Sequence, residues 1–234
     1  MRCVDPPLVL LHGFTQTRQS WRRTARALAG RYRAVIPDLP GHGQAVQRTA
    51  SFDACAAYVR ALGPRVLVGY SMGGRIALYT ALTVPVQRLV LVGASPGIAD
   101  PAERAARRTA DEALADRIET LDIEAFATEW GSQPLFAGQP ERVAAAAYAD
   151  RLRNTPAGLA AALRGLGTGV MEPLWDALPS LSVPVTLAVG ERDEKYLAIA
   201  RRMAGVLPRA ELVVVEGAGH AAQLEQPAAV AALL

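Results

Sequence analysis

Two glycines flank a serine at two residues' distance in Gly69-Tyr70-Ser71-Met72-Gly73, and no other pattern in this 234-residue chain has a clearer chemical meaning. A serine at the apex of a tight turn between a strand and a helix needs neighbours without side chains. The helix that follows offers its first amides and its positive end to developing negative charge. Serine alone is a poor nucleophile or base, so the reading requires a histidine to take its proton and a carboxylate to orient that histidine. There are three histidines. His220 ends the run Glu216-Gly217-Ala218-Gly219-His220, where a glycine loop would bring an imidazole back over Ser71. His12 and His42 lie in tight Leu-His-Gly and Gly-His-Gly turns and are expected to hydrogen-bond loops near the site. Asp193, reached through Gly190-Glu191-Arg192, is the expected acid, with Glu191 and Asp176 as weaker alternatives. Phe14 in His12-Gly13-Phe14 and Met72 after the serine can each supply a backbone N–H, so an oxyanion hole is available.

These residues need a scaffold that brings them to one place. Short apolar, β-branched runs recur at Leu8–Leu11, Tyr32–Ile36, Arg65–Gly69, Arg88–Val92, Val183–Val189 and Glu211–Val215. Between most of them lie helical stretches, expected near 18–30, 51–62, 72–83, 195–206 and 225–234, the second capped by Ser51 or Thr49. Strands buried on both faces read as continuous Val, Ile and Leu, and the alternation with helices predicts an α/β fold with a parallel sheet. All the candidate site residues then fall just beyond strand C-termini, where open α/β sheets bind ligands. Between Ser95 and Val183 the rhythm breaks. Helices are expected there at Pro101–Leu121, Ile123–Trp130, Pro140–Asn154 and Pro156–Gly165, forming an inserted helical lid. The expected organisation is core 1–97, lid 98–180 and core 181–234, with about six strands.

Composition excludes several other classes. With 51% hydrophobic and 20% charged residues the chain is an ordinary globular one rather than a disordered one. No apolar run reaches the roughly 18–20 residues a membrane-spanning helix needs, and no signal-peptide pattern opens the chain, so a soluble, cytoplasmic protein is expected. Cys3 and Cys55 make neither a disulfide framework nor a zinc-ligand spacing, and no structural metal is expected. The net charge is only +3, and Lys195 is the sole lysine. The arginines are scattered without interleaved aromatics, so no nucleic-acid partner is expected.

Further stretches narrow the reading. Leu11-His12-Gly13-Phe14-Thr15, Asp38-Leu39-Pro40-Gly41-His42-Gly43, Gly69 to Arg75 and Ala94-Ser95-Pro96-Gly97 resemble the α/β-hydrolase superfamily, in which the chain order Ser71, Asp193, His220 is the expected one. More discriminating are Arg75 after the double glycine, Glu103-Arg104-Ala105-Ala106-Arg107, Trp130 with Gln133-Pro134-Leu135-Phe136, and Gly190 to Tyr196. Over Leu8 to Pro227 the chain is similar to the 2-succinyl-6-hydroxy-2,4-cyclohexadiene-1-carboxylate synthases, lyases of menaquinone biosynthesis. The resemblance implies elimination of pyruvate from a cyclohexene that carries succinyl, carboxylate and enolpyruvyl groups, with no cofactor or metal. It further implies that Arg75, Arg107, Trp130 and Tyr70 bind this small-molecule substrate, the arginines through its carboxylates, Trp130 from the lid side of the pocket and Tyr70 from beside the serine. The fork of an arginine suits a carboxylate in bidentate pairing.

Each of these residues also has a plainer reading. Arg104, Arg107 and Arg108 at i, i+3 and i+4 fit the wet face of a helix, Arg75 fits a salt bridge, Trp130 fits lid core and Tyr70 fits a buried strand position. Lys195 and Tyr196 either orient the acid loop or merely begin a helix. Seven residues precede Leu8, too few for the N-terminal β-hairpin common in the superfamily, so the sheet is expected to be all parallel, with an exposed edge that favours self-association. Two other functions compete. A carboxylesterase or carbon–carbon bond hydrolase would use the same triad in an apolar slot with both arginines turned outward. A non-catalytic binding protein, such as a hormone-receptor-like module, would not need the triad.

Overall fold

The six apolar runs form six parallel strands: β1 Pro7–Leu11, β2 Arg33–Val35, β3 Val66–Tyr70, β4 Arg88–Val92, β5 Val185–Gly190 and β6 Ala210–Val215. They are ordered β2-β1-β3-β4-β5-β6 in a computed structural model that describes residues 7–234; Cys3 lies outside the described residues. Chain order reverses between β1 and β3, so the loops that leave these two neighbours diverge and open a crevice at their C-terminal ends.

Period-two alternation divides the strands between two cores. Val9, Leu11, Leu67, Leu89, Leu91 and Leu187 face one side, against α2 Phe52–Ala61, α3 Met72–Ala81 and, after β5, α8 Glu194–Ala204. Leu8, Leu10, Val68, Tyr70, Val90 and Val92 face the other, where Trp21, Leu28, Ala222 and Val230 pack. The helix elements there are α1 Arg22–Ala27, α9 Ala222–Glu225 and α10 Pro227–Ala232. Ser51 caps α2, its Oγ accepting the Ala54 amide at 3.2 Å. Cys55 stands on the buried face of that helix, and burial pushes its thiol up to about 12.

Between β4 and β5 run α4 Pro101–Glu119, α5 Ile123–Gly131, α6 Glu141–Arg151 and α7 Pro156–Leu166. They have a small core of their own, Ala115, Ile118, Phe126, Leu159 and Leu163, with Trp130 at its margin. Asp100, Asp122 and Thr155 cap α4, α5 and α7 through side-chain oxygens.

Two expected helices differ. The stretch expected as one helix over 18–30 begins with a 3-10 turn, Arg18–Trp21, and its α-helix stops at Ala27. The helix expected over 225–234 is interrupted at Gln226, because Pro227 disfavours helical backbone in the residue before it. Among the described residues no helix is long and apolar enough to cross a membrane.

Candidate active site

The Gly-x-Ser-x-Gly turn is set by close backbone packing. Ser71 has φ +50°, a left-handed conformation that costs a non-glycine residue about 1–3 kcal/mol. The surrounding structure holds it there: the Ser71 amide donates to Val92 O at 2.9 Å, and Ser71 O accepts the Arg75 amide at 3.0 Å. A Cβ on Gly69 would collide with the Gly73 carbonyl, one on Gly73 with the Leu11 carbonyl, and one on Gly74 would stand 2.5 Å from Ala94 Cβ. The glycines therefore let α3 start against β1 and leave the serine standing over the sheet edge.

His220 and Asp193 reach Ser71 from the loops after β6 and β5. Those loops are tied together by the Glu191 amide to Val215 O and the Arg192 amide to Ala218 O, both at 3.0 Å. His220 Nδ1 lies 2.6 Å from Asp193 Oδ2, and His220 Nε2 lies 3.2 Å from Ser71 Oγ. All three belong to one connected set, and Asp193 and His220 are buried. Neither alternative acid reaches the imidazole: Glu191 is exposed and accepts the Gly217 amide at 2.9 Å, and Asp176 is exposed in the 3-10 turn Trp175–Ser180.

The loop after β1 supplies Phe14. His12 Nε2 accepts the Leu39 amide at 2.9 Å and His42 Nε2 accepts the Thr15 amide at 3.2 Å, while each Nδ1 faces a carbonyl oxygen, Gly13 O and Pro40 O. Each ring thus donates from Nδ1 and accepts at Nε2, which requires neutral imidazoles. Burial lowers His12 to about 4 and His42 to about 3. Both histidines have the structural role expected of them, clamping the turn that presents Phe14. The amides of Phe14 and Met72 take no protein acceptor among the described residues.

A cavity of about 260 Å³ opens over Ser71, with Phe14 and Met72 at its base. Arg75, Arg107 and Lys195 line it, and no carboxylate does. Arg75 is buried on α3 and donates from Nη1 to Leu166 O at 2.6 Å. Burial lowers its pKa to about 10, which leaves it charged at neutral pH. Arg107, on α4, is 43% exposed and is held by Nε to Asp111 at 2.7 Å. Its terminal nitrogens take no protein acceptor among the described residues. Trp130 closes the lid side, its ring 5.1 Å from that of Phe14 at 79°, and its buried Nε1–H is unpartnered among the described residues.

Tyr70 is the exception among the expected binding residues, because it forms no part of the cavity wall. As the last residue of β3, two positions from Val68, it turns to the opposite face of the sheet. There its ring fills the space beside Gly13, where an added Cβ would meet it at 2.6 Å, and lies 5.2 Å from the His220 ring. It backs the imidazole from behind.

Lys195 and Tyr196, left open between two roles by the sequence, both line the cavity. Arg151 carried no sequence signal. It is buried on α6 with its guanidinium 5.3 Å from the Phe136 ring, and its Nε has no partner among the described residues.

A serine held at a strained strand-to-helix turn, a His–Asp pair beside it and a parallel sheet with a helical insertion define an α/β-hydrolase, and the alpha/beta hydrolase family matches residues 8–233. The chain is 35% identical to 2-succinyl-6-hydroxy-2,4-cyclohexadiene-1-carboxylate synthase of Klebsiella pneumoniae subsp. pneumoniae, over 98% of this chain and 92% of the relative. It is 34% identical to the protein of that name from Salmonella typhimurium, over 96% and 90%. Among solved structures, MenH from S. aureus superposes with a TM-score of 0.93 at 33% identity, covering 98% of this chain and 92% of that one. A malate-bound thermophilic esterase from Thermogutta terrifontis superposes with 0.79 at 29%, covering 97% and 87%. The chain belongs to the alpha/beta hydrolase family and, within it, to the family of the 2-succinyl-6-hydroxy-2,4-cyclohexadiene-1-carboxylate synthases.

Proposed function

We propose that this protein eliminates pyruvate from 5-enolpyruvoyl-6-hydroxy-2-succinyl-cyclohex-3-ene-1-carboxylate, giving 2-succinyl-6-hydroxy-2,4-cyclohexadiene-1-carboxylate in menaquinone biosynthesis. The observation that carries this reading is the charge of the cavity over Ser71, which Arg75, Arg107 and Lys195 line and no carboxylate does, Asp111 holding only Nε of Arg107 from outside it. A substrate with several carboxylates neutralises those cations, and bidentate pairing with arginine fixes its ring.

In the reaction Ser71 Oγ takes the proton from the ring carbon activated by the succinyl ketone, while its own proton passes to His220 Nε2 under the orienting pull of Asp193. The electron pair of the broken C–H bond moves towards the ketone oxygen, where the free amides of Phe14 and Met72 receive the charge. As the pair returns, the ring double bond forms and the C–O bond to the enolpyruvyl group breaks. The departing enolpyruvate collects the proton held on His220 and becomes pyruvate. Ser71 is left carrying the substrate's proton, and no acyl-enzyme forms.

The competing reading is ester hydrolysis with the same triad, favoured by the likeness to the Thermogutta esterase. The test is to incubate the purified protein with enzymatically generated enolpyruvyl precursor and follow pyruvate, with a p-nitrophenyl ester alongside. Rapid pyruvate release with negligible ester cleavage is expected; the reverse pattern moves the chain to the esterases.

A further inference from the structure

Thr15 carries a backbone strain that the triad does not explain. It follows Phe14 directly and has φ +67°, a left-handed conformation that is a rarity for a β-branched side chain. The Gln16 amide donates to Gly13 O at 3.2 Å, so Gly13 to Gln16 form a four-residue turn with Phe14 and Thr15 at its centre. A positive φ at the second central residue suits glycine or asparagine, and a threonine there has to be held. It is held from both sides. The Thr15 amide donates to His42 Nε2 at 3.2 Å, and Thr15 O accepts from Asn154 Nδ2 at 2.8 Å. Thr15 is buried, and Asn154 is the only donor to its carbonyl among the described residues.

Asn154 belongs to the lid, in the turn between α6 and α7, and it is buried. Its Nδ2 donates to Arg151 O at 3.1 Å as well as to Thr15 O, and its Oδ1 accepts the Gly43 amide at 3.0 Å. Turned over, the group would set its oxygen against two carbonyls and its nitrogen against an amide, so its orientation is fixed. One helical turn earlier, Asp150 Oδ2 accepts the Thr17 amide at 2.9 Å, so this corner of the lid grips the same loop twice. We propose that Asn154 is a positioning residue of the oxyanion hole: its bond to Thr15 O holds the left-handed turn, and that turn keeps the Phe14 amide at the base of the cavity beside Ser71. A relaxed Thr15 takes a negative φ by turning the peptide that joins it to Phe14, and Phe14 moves with it. A donor displaced by an ångström loses most of its hold on the developing charge. The lid thus does more than recognise substrate, because this corner of it completes the hole while α4 and α5 carry Arg107 and Trp130.

The inference rests on the oxyanion step of the proposed reaction, which ester hydrolysis shares, so pyruvate release and p-nitrophenyl ester cleavage are both followed. Asn154→Ala removes every bond of the side chain; Asn154→Asp keeps an oxygen for the Gly43 amide and loses the donors to Thr15 O and Arg151 O. Each variant should lower kcat about 10- to 100-fold, part of the roughly 10²–10³-fold that one oxyanion donor is worth. KM should change less than about threefold, because the cations of the cavity stay in place. The strain at Thr15 supplies a readout that a merely structural role would not move. With Thr15→Gly in the background, glycine adopts the left-handed turn unaided, and the loss caused by Asn154→Ala should shrink at least about threefold. Thermal melting of every variant establishes folding at the assay temperature. If Asn154→Asp keeps the wild-type kcat, the bond to Thr15 O has no such role. If Asn154→Ala costs as much with Thr15→Gly as without it, Asn154 merely supports the fold. A wild type that cleaves the ester and releases no pyruvate overturns the elimination, yet an ester kcat that falls in the Asn154 variants as described still upholds this inference.

Discussion

The site is built from two regions that hold their residues in different ways. On the sheet edge, Ser71, His220, Asp193 and the Phe14 turn are fixed by backbone: a left-handed serine, glycines with no room for a Cβ, crossed amide bonds between the β5 and β6 loops, and two neutral imidazoles bonded at both nitrogens. In the lid, Arg107 and Trp130 stand on helices and are placed by side-chain contacts, an ion pair to Asp111 and an aromatic edge against Phe14. Interiors packed against backbone are stiff, whereas helices that dock by side chains have more freedom to shift. In the proposed reaction this difference gives the chemistry to the rigid edge and the recognition of the ring's carboxylates to the adjustable lid. Arg75 joins the two, anchored on α3 and bonded to the end of α7 at Leu166.

Removing the base from the rigid region should have the largest effect. Ser71→Ala is expected to lower kcat for pyruvate release by about 10²–10⁴-fold, the typical worth of a general base. Ligand affinity should be retained, since every cation of the cavity remains. Steady-state kinetics with calorimetric titration of a non-reacting dicarboxylate would show both. A variant with near wild-type turnover would remove Ser71 from its role and leave the lid as the active region.

Acid should reach the rigid region next. His12 and His42 have folded pKa values of about 4 and about 3, below the ordinary 6.5, because burial disfavours their charged forms. Depressed histidines contribute stability that is complete above the unfolded value and is lost as pH falls below it, since the unfolded chain takes up the protons first. Between pH 7.5 and pH 5 each imidazole should remove about 2 kcal/mol, about 4 kcal/mol for the pair. Denaturant unfolding at the two pH values measures this, and hydrogen exchange should place the loss at the β1 turn rather than in α4 and α7. Stability that stays flat across the interval would contradict it.

How far the sequence could be read follows the same division. Strands buried on both faces write their burial as unbroken apolar runs, so β3 and β4 were located to within one residue. The glycine spacing around Ser71 and the order Ser71, Asp193, His220 record backbone constraints, and these were legible for that reason. Of the two readings of Tyr70, the structure gives the buried strand position and not the pocket, because being next to Ser71 in sequence puts its side chain on the opposite face of the sheet. Arg151 left no trace, since its burial depends on where α6 docks and not on its neighbours in the chain. The break at Gln226 is readable from Pro227, which a single helix over 225–234 leaves out of account.

The cavity arginines would sharpen the boundary. Arg75→Ala and Arg107→Ala should each lower kcat/KM for the native substrate by about 1.5–3 kcal/mol, the scale of a charged hydrogen bond, mainly through KM. Arg75→Ala should also destabilise the fold, because the Leu166 carbonyl loses its donor, whereas Arg107→Ala leaves buried Asp111 still accepting the Gly169 amide at 3.3 Å. Unchanged kinetics in either variant would take that residue out of the site.

The smallest effect is expected where the lid carries its densest charge. Arg164 on α7 is bonded to Glu112, Asp116 and Glu119 along one face of α4, at 3.1, 2.6 and 2.9 Å. All four side chains meet solvent, where water and salt already screen much of the attraction and three flexible acids must be ordered to make it. Arg164→Ala should therefore cost only about 0.5–1 kcal/mol, a loss that shrinks in high salt, and leave kcat/KM unchanged. Ile118→Ala, fully buried beneath the same clasp, should cost about 2–5 kcal/mol whatever the salt. Thermal melts of the two variants at low and high ionic strength decide the matter: if Arg164→Ala proves as costly as Ile118→Ala, the lid is held by its charges, and its freedom to adjust over the rigid edge should then grow as salt rises.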